Sequence, residues 1–229
     1  MAFDGVTIAG IVDELKGKLV GNRIYKIAQP EKDELILTVK GSCGQVRLLM
    51  SADASLPLLY LTEKNKTSPM TAPNFCMLLR KHLQNARIVS VTQPGLERIV
   101  RFELEHLNEM GDLCRKFLII ELMGKHSNII FCDDRDKIID SIKHISGMVS
   151  SVREVLPGYA YFIPRTQDKA ELLECMVDKT TAADKIAAVL RARSLPVYKA
   201  IYMGFTGVSP CIAQELCYMA GIDADKPSS

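Results

Sequence analysis

The chain has no excess of charge, no long apolar run, no paired cysteines and no clustered histidines. Each absence removes a class of protein. Lysine plus arginine (29) nearly balance aspartate plus glutamate (27), so the formal net charge of +2 does not mark a bulk polyanion binder. A nucleic-acid surface would have to be a local patch. No stretch approaches the roughly 18 consecutive apolar residues of a membrane-spanning helix. Phe3-Asp4 opens an amphipathic segment instead of the apolar core of a secretion signal, so the expected location is cytoplasmic. The seven cysteines (43, 76, 114, 132, 175, 211 and 217) include no C-x-x-C pair, and several sit inside apolar runs. They are expected to be reduced, mostly buried thiols. Four scattered histidines offer no zinc site, and His106 and His144 read as ordinary core or surface residues. Neither a Ser-His-Asp order nor a phosphate-binding glycine loop is present. No cofactor is expected.

What remains is an ordinary folded composition, 48% hydrophobic over 229 residues, enough for one large domain or two small ones. Apolar positions 8, 11, 12, 15 and 19 predict a helix over 4–20, with Asp4 as N-cap and Gly21 at its end. Four β-patterned runs follow, Arg23–Gln29, Glu34–Val39, Val46–Met50 and Leu58–Thr62, separated by turn-rich segments. They predict an antiparallel meander. A second helix is expected over Asn74–Gln84, with 75, 78, 79 and 83 facing inward and Arg80, Lys81 and His82 on the wet side. Strand patterns resume at Ile88–Thr92, Arg98–Leu104, Cys114–Leu122, Asn128–Cys132 and Ile138–Ile145. The order predicts an α+β domain, an antiparallel β-sandwich or open barrel with flanking helices, over residues 1–165. The character then turns all-helical, with helices expected at Ala170–Val177, Thr181–Arg193, Pro196–Met203 and Pro210–Ala220 in a small domain over 170–222. The polar Asp223–Ser229 reads as the start of a linker, so a piece of a longer protein is expected.

Four places carry chemistry. Gly124-Lys-His-Ser-Asn128 joins two apolar strands. Lys125, His126, Ser127 and Asn128 are the makings either of an anion contact or of a plain hairpin turn, with Gly124 permitting a conformation that other residues resist. At Pro94-Gly-Leu-Glu-Arg98 an acid stands beside an arginine at a loop tip. Such a pair can accept from a ribose or base and grip a phosphate, or be a solvated surface pair worth under roughly 1 kcal/mol. Arg80-Lys81-His82 is a basic cluster that a wet helix face also explains. Phe205-Thr-Gly-Val-Ser-Pro-Cys-Ile-Ala213 has the form of a helix-hairpin-helix turn: Gly207 turns, Val208 inserts, Ser209 caps and Pro210 takes the first helical position. Such a turn presents backbone N–H groups to a phosphate. Arg191, Arg193 and Lys199 lie nearby in sequence.

Several segments together resemble the NFACT-N family, the N-terminal domain of RqcH- and NEMF-type proteins, whose bacterial members were often labelled fibronectin-binding. They are Met1-Ala-Phe-Asp4-Gly5 leading into Glu14-Leu-Lys16, Arg23-Ile-Tyr-Lys-Ile27, Pro73–Leu83, Glu97-Arg-Ile99, Glu121–Ile130 and Val155-Leu-Pro-Gly-Tyr159. The resemblance spans residues 1 to about 165, and the helical tail resembles the helix-hairpin-helix domain that follows in that family. It implies a ribosome-associated quality-control factor that binds tRNA (alanyl-tRNA in bacteria) and a large ribosomal subunit blocked by peptidyl-tRNA. It also implies support for template-free C-terminal alanine tailing, with peptide-bond chemistry left to the ribosome and a monomer in solution. The family's acid–arginine pair falls on Glu97 and Arg98, and a family aspartate on Asp4, which makes these three the implied tRNA-binding residues. Many members carry aspartate at position 97, so the longer glutamate arm puts its hydrogen-bond partner in question. Arg80, Lys81, His82, Lys125, His126, Ser127, Gly207 and Ser209 are candidate RNA contacts.

The implied fold is similar to that of formamidopyrimidine-type DNA glycosylases, which sets up a rival reading as a base-excision enzyme. Those enzymes need an N-terminal proline amine followed by glutamate. Met1-Ala2-Phe3-Asp4 supplies neither in place. The third reading, a fibronectin-binding surface adhesin, sits poorly with free thiols.

Overall fold

The computed structural model describes residues 3–41, 44–108, 110–164 and 167–228. They form two compact units that alternate along the chain. One holds residues 11–92 and 99–164, the other 3–10, 93–98 and 167–228. The sequence places one boundary between residues 165 and 170. In the folded chain the segments 3–10 and 93–98 also fall with the later helices.

The first unit is a nine-stranded antiparallel sheet with flanking helices. Its strands are β1 (Arg23–Glu31), β2 (Glu34–Gly41), β3 (Gly44–Ser51), β4 (Leu58–Thr62), β5 (Arg87–Thr92), β6 (Ile99–Leu107), β7 (Leu113–Glu121), β8 (Asn128–Cys132) and β9 (Ile138–Ser141). The order β4-β3-β2-β1-β5-β6-β7-β8-β9 is two meanders joined between β1 and β5. At that join the ladder narrows to one residue pair, Arg23 with Arg87. Short turns make the meanders. Buried apolar residues fill the strands, with Leu35, Leu37 and Val39 of β2 and Leu118, Ile119 and Ile120 of β7 all almost fully sealed from water.

Two helices accompany the sheet in sequence. Helix α1 (Gly5–Leu19) buries Ile8, Val12, Leu15 and Leu19 of the predicted stripe and leaves Ile11 half-buried. Helix α2 (Asn74–Leu83) buries Phe75, Cys76, Leu79 and Leu83. Cys76, not Leu78, turns inward, and its thiol approaches the Ile27 carbonyl oxygen at 3.8 Å. His82, expected on the wet side, lies against Phe131 with ring centroids 5.8 Å apart and edge-on to His106 at 6.2 Å.

The predicted strand Ile138–Ile145 stops at Ser141. Asn128 is the reason: its amide nitrogen donates to the Lys143 carbonyl, and its carbonyl oxygen accepts the Lys143 and Ile129 N–H groups. A side chain thus replaces the next rung of the ladder. Of the cysteines within the described residues, Cys76, Cys132 and Cys217 are buried, Cys114 and Cys175 half-buried and Cys211 exposed; Cys43 lies outside them. No helix among the described residues is long and apolar enough to cross a membrane.

The second unit contains α3 (Leu172–Met176), α4 (Ala182–Arg191), α5 (Val197–Gly204) and α6 (Pro210–Met219). Its core gathers Phe205, Val208 and Ala213, with Ile186, Val189, Ile201 and Ile212 packed against them. Val208 is therefore part of this buried core.

Candidate functional site

Asp4 caps α1: its Oδ1 accepts the Thr7 N–H at 2.8 Å. Its other oxygen accepts the Ser209 hydroxyl. The same Ser209 Oγ accepts the Ile212 N–H at 3.2 Å and so caps α6, with Pro210 at its first position. One carboxylate and one hydroxyl thus serve two helix N-termini, 205 residues apart in sequence. Burial pushes the Asp4 carboxyl up, but the hydrogen bonds from Ser209 and Thr7 outweigh it and leave its pKa below the ordinary 3.8. Asp4→Ala is expected to cost about 1–2 kcal/mol, measured by urea unfolding at neutral pH. The folded pKa is depressed, so this stabilisation is present above 3.8 and lost as the pH falls through the folded value. The difference between wild type and variant should therefore narrow only in strong acid.

The same unit pins the loop between β5 and β6. Gly5 donates its N–H to the Gly207 carbonyl at 2.7 Å. The backbone of Leu96 lies so close to both glycines that a Cβ at either would stand 1.9 Å from its carbonyl oxygen. Gln93 closes the loop, its Nε2 donating to the Gly5 carbonyl at 2.8 Å and the Glu97 carbonyl at 2.9 Å. The Pro94 carbonyl accepts the Glu97 N–H at 2.9 Å, which makes the predicted Pro-Gly turn. Leu96 is buried, and Glu97 and Arg98 follow it, each half-buried.

Two further cations belong to this neighbourhood. Lys169 Nζ donates to the Tyr202 carbonyl at 2.8 Å, and Arg193 donates to the carbonyls of Met203 (3.0 Å) and Asp168 (3.2 Å). Both therefore grip the C-terminal end of α5, where cations are favoured. Burial pushes the Lys169 ammonium pKa down, and the fields of Arg193 and then Arg98 push it further, against Glu97. Lys169 thus lies in the fields of Arg193, Arg98 and Glu97, and the Glu171 carboxylate lies against Gly95 of the same loop, a mixture that can take a phosphate and an adjacent hydroxyl or base edge.

The structure thus brings together Asp4, Glu97, Arg98, Gly207 and Ser209, five residues scattered over the sequence. It also assigns them different work. Asp4 and Ser209 spend their polar atoms on each other and on helix ends, and Gly207 spends its carbonyl on Gly5. The Ser209 hydroxyl, a candidate RNA contact in the sequence, is thus engaged with Asp4 and the Ile212 N–H. Sequence reasoning missed Gln93 and Lys169. A glutamine before Pro-Gly and a lysine at a helix approach carry no local signature.

The remaining expected contacts lie in the sheet unit. Gly124–His126 forms a single 3-10 turn in which Lys125 and His126 are exposed. Ser127 is 1% exposed and its Oγ accepts the Met123 N–H at 2.8 Å. Ser127 is therefore part of the turn's scaffold and leaves the surface that its sequence position suggested. Arg80 and Lys81 are exposed, with Arg80 Nε donating to the Ile27 carbonyl at 2.9 Å. Beneath this surface the sequence hid a buried acid with two half-buried partners. Glu121 is 0% exposed, paired with the Arg153 guanidinium, and accepts the Tyr161 hydroxyl at 3.0 Å.

An antiparallel-sheet unit joined to a helical unit that pins an acid–arginine loop defines the class of protein. The chain belongs to the NFACT family: the family model described as NFACT N-terminal and middle domains matches residues 4–229. It is 39% identical over 223 residues to the Rqc2 homolog RqcH of Bacillus subtilis (strain 168), covering 97% of this chain and 38% of that protein. It is 25% identical over 184 residues to the ribosome quality control complex subunit NEMF of Mus musculus, covering 80% of this chain and 16% of that protein. Among solved structures it is similar to the N-terminal domain of the fibronectin-binding protein PavA from Streptococcus pneumoniae. That match has a TM-score of 0.85 and 34% identity, over 96% of this chain and 80% of that one.

Proposed function

We propose that this chain is the tRNA-handling N-terminal part of a ribosome-associated quality-control factor. In this reading it binds tRNA and the obstructed large ribosomal subunit and supports template-free alanine tailing of stalled nascent chains. The carrying observation is the loop bearing Glu97 and Arg98, held by Gln93, Gly5 and Gly207, in the same unit as Lys169 and Arg193 anchored at the end of α5. Relatives named RqcH and NEMF support it. Arg98 and its neighbouring cations hold a phosphate, and Glu97 accepts from a ribose or base. Asp4 and Ser209 position the loop's surroundings and do not touch the tRNA. Lys125, His126, Arg80 and Lys81 add RNA contacts from the sheet unit.

In the same reading the two meanders are the walls of a glycosylase-like sandwich or open barrel, and α5 and α6 are the helices of a helix-hairpin-helix module. The part acts as a positioning factor and not as an enzyme, in the cytoplasm and as a monomer, with the ribosome forming the peptide bonds. The test is the double variant Glu97→Ala, Arg98→Ala in the full-length protein. C-terminal alanine tails on stalled chains should disappear. Thermal unfolding should shift little, since both side chains are half-exposed and substitutions outside the core typically stay within about 0.5 kcal/mol. Normal tailing by a folded double variant overturns the assignment.

A further inference from the structure

Helix α2, β1 and β2 carry a feature that the acid–arginine loop does not explain. Along β1 the pairing with β2 advances two residues against one between Ile24 and Lys26, so Tyr25 is the extra residue of a β-bulge. A bulge re-aims a side chain, and here it turns an aromatic ring outward from an apolar strand. Tyr25 is 49% exposed, and Lys40 Nζ sits 3.3 Å from its ring centroid. Side chains at the end of α2 and just beyond it hold the bulge in place. Gln84 Nε2 donates to the Tyr25 carbonyl, and Arg80 Nε donates to the Ile27 carbonyl at 2.9 Å. Tyr25, Lys26, Ile27, Arg80 and Gln84 line a depression of about 400 Å³.

Cations predominate here. Segments 22–27, 38–41 and 80–87 contain Arg23, Lys26, Lys40, Arg80, Lys81 and Arg87 and no aspartate or glutamate, in a chain whose net charge is only +2. Of these, Arg87 is ion-paired to Glu105 at 2.6 Å. Basic residues in the last turn of α2 suit its dipole, but that does not account for a bulge that exposes a tyrosine beside them. An aromatic ring set among cations is the arrangement that grips single-stranded nucleic acid, with a base stacked on the ring and phosphates on the flanking charges. Bases of a duplex are already stacked and cannot take such a ring. An acidic peptide would use the cations and leave the ring idle.

We propose that the Tyr25 bulge is a stacking platform for one unpaired RNA base, with Lys26 and Arg80 on the adjoining phosphates. This rests on the RNA-binding reading above and deepens its Arg80 contact, adding Tyr25 and Lys26 in the sheet unit, apart from the acid–arginine loop. The chain has no tryptophan, so Tyr25→Trp creates a single fluorescent reporter at the platform. Titration with oligoadenylate about 12 nucleotides long, within the usual site size of such surfaces, should quench its emission saturably. Polyglutamate should not. Tyr25→Ala should weaken oligoadenylate binding about tenfold, and Tyr25→Phe should restore it. Lys26→Ala should lower the slope of log affinity against log salt by about 0.7. Absence of quenching, equal quenching by polyglutamate, or unchanged binding by Tyr25→Ala overturns the platform. Repeating the titration with Glu97→Ala, Arg98→Ala separates the two proposals. Quenching that persists in that background supports the platform whatever happens to tailing, and quenching abolished there overturns it as an independent site.

Discussion

Arg153→Met is expected to destabilise the sheet unit by about 3–5 kcal/mol near neutral pH, because it leaves a buried carboxylate without its counter-charge. Glu121 is fully buried, and its two oxygens are served by the Arg153 guanidinium and the Tyr161 hydroxyl. Arg153 also donates to the Phe162 carbonyl at 2.7 Å, so one side chain ties the end of β7 to the segment that follows β9. Burial pushes the Glu121 pKa up, opposed first by Arg153 and then by Tyr161. Loss of Arg153 removes the stronger opponent, so folding then demands a protonated Glu121. In the unfolded chain that carboxyl ionises near 4.5. The folded pKa is the higher one, so the variant's stability is fully present below 4.5 and falls as the pH rises. Urea unfolding at pH 4.5 and pH 8 should show a smaller deficit in acid. The double variant Glu121→Gln, Arg153→Met should recover much of the loss at pH 8. An equal deficit at both values, with no recovery, would show that the charge is not the cause.

Gly207→Ala should also be costly for the helical unit, about 2–5 kcal/mol, from two separate sources. The residue has φ of +73°, a left-handed conformation that costs an L-residue roughly 1–2 kcal/mol. The added Cβ would also stand 1.9 Å from the Leu96 carbonyl oxygen, which is backbone and cannot swing aside, so repacking adds about 1–3 kcal/mol. Gly10→Ala is the internal comparison. A Cβ there meets nothing within 4 Å, and Gly10 lies inside α1, so the substitution should stabilise by roughly 0.5–1 kcal/mol. Since Gly207 also holds Gly5, its loss should loosen the loop bearing Glu97 and Arg98. RNA binding should fall together with stability. A Gly207→Ala protein as stable as wild type would mean that the close approach of Gly5, Leu96 and Gly207 is not obligatory.

Much of the architecture could be read from periodicity alone. Leu58–Thr62 and Asn128–Cys132 are strands with the predicted ends, and α1 buries most of the predicted stripe. These features depend on neighbours a few residues away, and local sequence contains them. The Pro-Gly turn before Glu97 and the Ser-Pro cap of α6 were legible for the same reason. Misreadings arose where a distant group completed the structure. Asn128 ended a strand by bonding across to Lys143, and Cys76 displaced Leu78 from the buried face because Ile27 waits there. Glu121 read as one polar residue at a strand end until Arg153 and Tyr161 arrived from later in the chain.

The functional residues divide along the same line. The sequence by itself determined most of the strand and helix inventory, the adjacent acid and arginine, the Ser-Pro cap of α6 and the resemblance to a family, because each is encoded in short contiguous stretches. Only the tertiary structure decided that Asp4 and Ser209 are spent on each other, that Lys169 and Arg193 stand with Arg98, and that a bulge presents Tyr25 among cations. Those outcomes turn on hydrogen bonds and charges between residues tens to hundreds of positions apart, and such pairings exist only once the chain has folded.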